Sequence, residues 1–282
     1  MKKTIWILII ILFIMVVIKG SQLFIPTSSE KIVEFSVELS PSPSPSPSPS
    51  PTPSPRYPSR ILDLTNWKIT LPIGTDKDPT HPLEIRQPKL MTYKIDPWFT
   101  LTSDEKGVFF RAPVSGPTTG GTKYARSELR EMTDGGTLQA KWSSTEGMHT
   151  MFIDEAITAV PKTKRHIVAG QIHGSSDDII VIRLQYPNLY VNVDGKNVYT
   201  LDSHYTLGKR FTIKFIVSGG QTKVFYNGNL QPSYTLDKKY SGAYFKAGAY
   251  TQSNCDKEFW PWLCSVNNYG EVVIYNLTVT HQ

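Results

Sequence analysis

Three short stretches of this chain set reactive side chains two residues apart. In Arg126-Ser-Glu-Leu-Arg130, positions 126, 128 and 130 carry a guanidinium, a carboxylate and a second guanidinium. Gln171-Ile-His173 pairs an amide with an imidazole, and Tyr244-Phe-Lys-Ala-Gly-Ala-Tyr-Thr-Gln252 spaces Tyr244, Lys246, Tyr250 and Gln252 in the same way. Alternate residues of a β-strand project to one face. Read as strands, the stretches put these polar groups on one side and Leu129, Ile172, Phe245, Ala247 and Ala249 on the other. Solvated sheet faces ordinarily collect Thr, Ser and mixed charge. These faces collect Arg, Lys, His, Gln and Tyr, the groups that hold an anionic sugar and move its protons. Each stretch alone is commonplace: Arg-x-Glu-x-Arg often marks a solvent face whose ion pairs are worth little, and period-two tyrosines often only pack. Their shared period and complementary chemistry point to one basic cleft, provided the three strands lie in one sheet.

The rest of the domain reads as the body such a cleft needs. Phe211, Ile213, Phe215 and Val217 alternate along one predicted strand. Residues 189–193 lead into Asp194-Gly195 and residues 223–226 into Asn227-Gly228, both strong hairpin turns. Residues 179–184 and 272–279 are long β-branched runs. Helical periodicity is scarce, and residues 154–160 fit a turn or a strand. So many short strands in about 220 residues predict an all-β fold, a two-sheet β-sandwich of jelly-roll type.

That domain spans residues 59–282, and two other segments precede it. Residues 5–18 are uniformly apolar, with Lys2 and Lys3 before them and Lys19 after. A buried core helix would not be apolar on every face. The run has the basic start of a signal segment but no convincing small-x-small cleavage site. It is short for a spanning helix, although flanking lysines can stretch one. The expectation for residues 1–25 is therefore a membrane anchor facing outward or a cleaved signal segment, with the remainder exported in either case. Residues 26–58 form a linker in which Pro alternates with Ser or Thr from 41 to 55. Such a run favours polyproline II and reaches roughly 45 Å at about 3.1 Å per residue, a stiff spacer.

The whole chain has 282 residues, with 30 Lys and Arg against 24 Asp and Glu, a net charge of +6. With 39% hydrophobic and 19% charged residues it is neither wholly disordered nor a multi-span membrane protein. The mild positive bias suits a polyanion without identifying one; it is the Arg, Lys, His, Gln and Tyr faces that make acidic polysaccharide, not nucleic acid, the expected partner. The only cysteines, Cys255 and Cys264, have eight residues between them. In an oxidising compartment they read as one small disulfide loop.

The same three stretches resemble the signature segments of the alginate lyases of polysaccharide lyase family 7, and residues 62–72 resemble that family's opening strand. The resemblance covers nearly all of residues 59–282, in order, and excludes the anchor and spacer. It implies cleavage of alginate, a 1,4-linked uronate polymer, by β-elimination in a monomeric catalytic domain. It assigns neutralisation of the substrate carboxylate to Arg126 and Gln171, with His173 close by, and catalysis to Tyr250, leaving Tyr244 to line the cleft. In that family Ile between Gln and His, here Ile172, accompanies acceptance of guluronate-containing blocks.

The chemistry of the groups agrees. Removing the C5 proton beside a carboxylate requires donors that stabilise the enolate-like charge. Arg forks onto a carboxylate, and a Gln amide donates without adding charge. His173 suits the base role, since free imidazole titrates near 6.5. Tyr250 suits the acid, and its phenolate the base when the proton lies on the opposite face. Glu128 is expected to hold Arg126 or Arg130; Arg130, Lys246 and Gln252 are expected to contact neighbouring sugars. No metal or other cofactor is implied: His81, His149, His166, His204 and His281 show no ligand spacing. A glycoside hydrolase would want two carboxylates flanking the scissile bond, whereas Glu128 and Glu131 diverge, as do Asp154 and Glu155. A non-catalytic binding module on a stalk is the other alternative. It would keep the basic cleft but need neither His173 nor Tyr250. The loop carrying Trp260-Pro261-Trp262 follows Tyr250 and is read either as a wall at one cleft end or as a packed lid.

Overall fold

A computed structural model describes residues 56–282. The apolar run and the Pro-Ser spacer lie outside the described residues. Sixteen strands follow in order: β1 (Trp67–Gly74), β2 (Pro82–Ile85), β3 (Phe99–Leu101), β4 (Val108–Pro113), β5 (Arg126–Thr133), β6 (Leu138–Gln139), β7 (Met148–Ala159) and β8 (His166–His173). Then come β9 (Asp178–Gln185), β10 (Asn188–Val193), β11 (Lys196–Asp202), β12 (Arg210–Ser218), β13 (Gln221–Tyr226), β14 (Tyr234–Asp237), β15 (Tyr244–Thr251) and β16 (Tyr269–His281). Among the described residues no helix is long and apolar enough to cross a membrane.

The strands form two antiparallel sheets. One runs β11-β10-β9-β8-β15-β5-β1-β2, with β6 added to β5; the other runs β14-β13-β12-β7-β16-β4-β3. Alternation supplies the core between them. Ile69, Leu129, Ile172, Phe245, Ala247 and Ala249 from the first sheet meet Phe110, Ile153, Ile213 and Phe215 from the second, all fully buried. Each large apolar side chain hidden this way stabilises the sandwich by roughly 1.5–3 kcal/mol. The fold is the two-sheet jelly-roll sandwich anticipated from the strand pattern.

Turn chemistry sets the register of β10 on β11, where Val193 lies opposite Lys196, whereas residues 227–233 separate β13 from β14 and Asn227-Gly228 only begins that longer connection. Asp194 and Gly195 both adopt positive φ between β10 and β11, as do Asn227 and Gly228 after β13, which is the backbone that Asp-Gly and Asn-Gly turns supply. Residues 154–159 resolve into strand as the end of β7. There Asp154 turns outward to take two bonds from Arg210, at 2.5 and 2.6 Å. Glu155 turns into the core and is fully buried.

Candidate active site

The strands carrying the three reactive stretches are neighbours. β15 pairs with β8 on one side and β5 on the other. Tyr244 lies opposite His173, Lys246 opposite both Gln171 and Arg130, Gly248 opposite Glu128, and Tyr250 opposite Arg126. Directly opposed residues share a face. Arg126, Arg130, Gln171, His173, Tyr244, Lys246 and Tyr250 therefore line one cleft of about 280 Å³. Gly248 makes the row possible: its φ is +133°, and a Cβ there would stand 2.5 Å from the Ser127 carbonyl oxygen. The β8 pairing is irregular between Ala247 and Tyr250, and Tyr250 emerges at the cleft end of the strand.

Beneath the cleft surface lies a buried charge cluster. The Glu128 carboxylate accepts from Arg126 Nη1 at 2.9 Å, Lys246 Nζ at 2.6 Å and Gln171 Nε2 at 2.5 Å. Burial opposes its charge, yet the cations of Lys246 and Arg126 hold its pKa below the usual carboxylate value. Burial pushes Lys246 the other way, down to about 8. Because a carboxylate only accepts, the Gln171 amide must turn its nitrogen inward, which leaves its second N–H uncommitted. Glu128 thus holds Arg126 and Lys246 rather than Arg130. Arg130 instead bonds the Glu131 carbonyl and Gln139, with its guanidinium 3.9 Å from the centre of the Tyr244 ring.

Tyr244 in turn stacks on His173, with ring centres 5.1 Å apart. His173 Nδ1 lies 2.8 Å from the Gly174 carbonyl oxygen. That oxygen can only accept, so Nδ1 carries the proton and Nε2 of the neutral ring holds a lone pair. Burial lowers the His173 pKa, which favours this neutral form. At the other end of the cleft Arg126 places its guanidinium 3.9 Å from the Tyr250 ring centre. Thr122 Oγ1 sits 2.6 Å from Tyr250 Oη.

Several lining residues went unnoticed in the sequence. Lys68 and Thr70 from β1 face the cleft beside Glu84, with Lys68 Nζ 2.5 Å from the Glu84 carboxylate. The signal was present, because Trp67, Ile69 and Leu71 alternate with them into the core. Thr119, Gly121 and Thr122 border the cleft from one loop, Ser176 and Asp177 from another, and Asp178 from the start of β9. Gln252 follows a different course. It lies past the end of β15, almost buried, where its Oε1 accepts from Arg183 at 3.2 Å. Ile172 points into the core, beneath Gln171 and His173.

Cys255 and Cys264 form a disulfide. The loop they close is anchored by Glu258, which accepts from Ser253, Asn268 and the Thr163 backbone. Its indoles, Trp260 and Trp262, stack on each other and stay largely exposed. A larger cavity of about 640 Å³, lined by Trp67, Trp142, His149 and His281, opens between the sheets. Its one deep carboxylate, Glu131, is already spent on Trp142 Nε1, the Phe245 N–H and His281 Nε2.

Fold and cleft together define a jelly-roll polysaccharide lyase. The comparisons narrow this: residues 62–281 match the family model described as alginate lyase, and the chain belongs to the alginate lyases of polysaccharide lyase family 7. It is 49% identical to the solved alginate lyase AlgAT5 of that family, covering 81% of this chain and all of the other, with a TM-score of 0.75. An alginate lyase of Klebsiella pneumoniae is 25% identical, over 79% of this chain and 91% of its own length. Alginate lyase A1-II′, with one histidine and one tyrosine replaced, has been solved in complex with substrate (GGMG). It is 26% identical, covers 80% of this chain and 97% of its own, and has a TM-score of 0.64.

Proposed function

We propose that residues 59–282 cleave alginate by metal-independent β-elimination, leaving a 4,5-unsaturated uronate at the new end. The observation that carries this reading is the convergence of Arg126, Gln171, His173 and Tyr250 on one cleft. The substrate carboxylate sits against the Arg126 guanidinium and the free N–H of Gln171, which stabilise charge as the C5–H bond breaks. His173 Nε2 takes that proton. The C5–H electron pair becomes the C4–C5 double bond, the C4–O4 bond breaks, and Tyr250 protonates the departing O4. Neutralisation by a guanidinium and an amide supplies what a Lewis acid would otherwise supply. Arg130 and Lys246, and Gln252 through Arg183, serve adjoining uronates. Guluronate-containing blocks are among the substrates, with Ile172 acting from the core side.

The domain works as a monomer, exported and held on its Pro-Ser stalk by the N-terminal apolar run, or secreted where that run is removed. The basic start and uniform apolarity of residues 5–18 support this. The deciding experiment incubates the domain with guluronate, mannuronate and mixed-block alginate, with and without chelator, and follows ultraviolet absorbance of the new double bond. Absorbance rises on guluronate-containing blocks, is unaffected by chelator, and disappears in folded His173→Ala and Tyr250→Phe. Binding without any rise would assign the cleft to a non-catalytic module, and full activity in either variant would remove that residue from the mechanism.

A further inference from the structure

Tyr250 meets a loop that carries none of the three reactive stretches. Between β4 and β5 the chain runs Pro117-Thr-Thr-Gly-Gly-Thr-Lys-Tyr124, and Thr122 closes a turn through its N–H to the Thr119 carbonyl, at 3.1 Å. Two contacts fix the Thr122 hydroxyl. The Tyr124 backbone N–H donates to Oγ1 at 3.2 Å, and Tyr250 Oη lies 2.6 Å away. Tyr124 is itself held, since its phenol accepts from Lys164 Nζ at 3.0 Å and its ring stands edge-on to Tyr250 at 6.4 Å.

We propose that Thr122 is a positioning residue for Tyr250, donating its hydroxyl proton to Tyr250 Oη so that the phenol proton is left for the departing O4. The inference rests on the lyase reading of the same cleft. A hydroxyl has one donor and two acceptor sites. With the Tyr124 N–H on one lone pair, the Thr122 O–H is free to point at Tyr250. The Tyr250 O–H bond then breaks toward O4 while the Thr122 O–H stays intact and bonds the phenolate that forms. His173 later releases the C5 proton to water, and Tyr250 regains one from water, so the cycle balances. A bond to an ionised acceptor is about twice as strong as one to a neutral acceptor. The Thr122 contact therefore tightens as the elimination proceeds, which is what accelerates a reaction.

The test compares Thr122→Val, which keeps the shape and removes the hydroxyl, with Thr122→Ser, which keeps the hydroxyl. The valine variant is expected to lose about 10- to 100-fold in kcat with little change in KM. The alkaline limb of its kcat/KM profile moves to higher pH, and serine restores both to within a few-fold of wild type. Wild-type kcat and pH profile in Thr122→Val overturn the proposal. So does Thr122→Ser as impaired as Thr122→Val, which would make the loop's packing the cause. A second readout needs no turnover: the ring-carbon NMR resonance of Tyr250, assigned by its loss in Tyr250→Phe. Its titration shifts in Thr122→Val if the hydroxyl is bonded to it and stays put if it is not. Wild type that releases no unsaturated product would sink the lyase reading, and this resonance would still decide the Thr122 contact.

Discussion

Replacing Glu155 by glutamine should make the protein more stable, increasingly so as the pH rises. Both carboxyl oxygens of Glu155 are buried without a hydrogen-bond partner. Across the sheet its register neighbours are Phe211 and Ile274, and the nearby Tyr205 hydroxyl is committed to the backbone of Ile157 and Lys209. Desolvation first, and the Asp154 charge second, push its pKa from 4.5 up to about 8. Between those two values the folded protein keeps a proton that the unfolded chain has released, so raising the pH favours unfolding. The slope is about 1.4 kcal/mol per pH unit, and over the whole window the loss reaches about 5 kcal/mol. Glutamine has the same shape and cannot ionise. Urea unfolding of both proteins from pH 4 to 9 should therefore show a stability difference that is small near pH 4, grows through pH 5 to 8, and levels off above that. A difference that stays flat with pH would mean that Glu155 finds a partner or ionises at no cost, and the argument from burial would fail.

Two more outcomes bear on the cleft. Because burial lowers the His173 pKa below 6.5, its base form persists into mildly acidic solution. The acid limb of kcat/KM should fall as pH drops through that lowered value, and a limb centred above 6.5 would exclude His173 as the base. Glu128→Ala strands Arg126 and Lys246 as buried cations without their shared carboxylate, at a cost of about 3–5 kcal/mol. Urea unfolding should show that loss and turnover should collapse with it; an unchanged midpoint would show that the cluster is not coupled to folding.

What the sequence determined by itself was local. Period two follows from the extended backbone, so the polar and apolar faces of β5, β8 and β15 were legible residue by residue, down to Ile172 and Phe245 pointing away from the cleft. Asp194-Gly195 and Asn227-Gly228 announced their turns because few other pairs tolerate positive φ at both positions. What only the tertiary structure decided was adjacency. β5, β8 and β15 are separated by dozens of residues, and no local rule says that β15 inserts between the other two. That order is set by how the two sheets bury their faces, and it alone makes Glu128 a shared partner of Arg126, Lys246 and Gln171. The same holds for Thr122, an ordinary loop threonine until folding sets it against Tyr250, and for Glu155, whose neighbour Asp154 looks equivalent in sequence. One residue of register sends Asp154 outward to Arg210 and Glu155 into the core, because a strand has only two faces to offer.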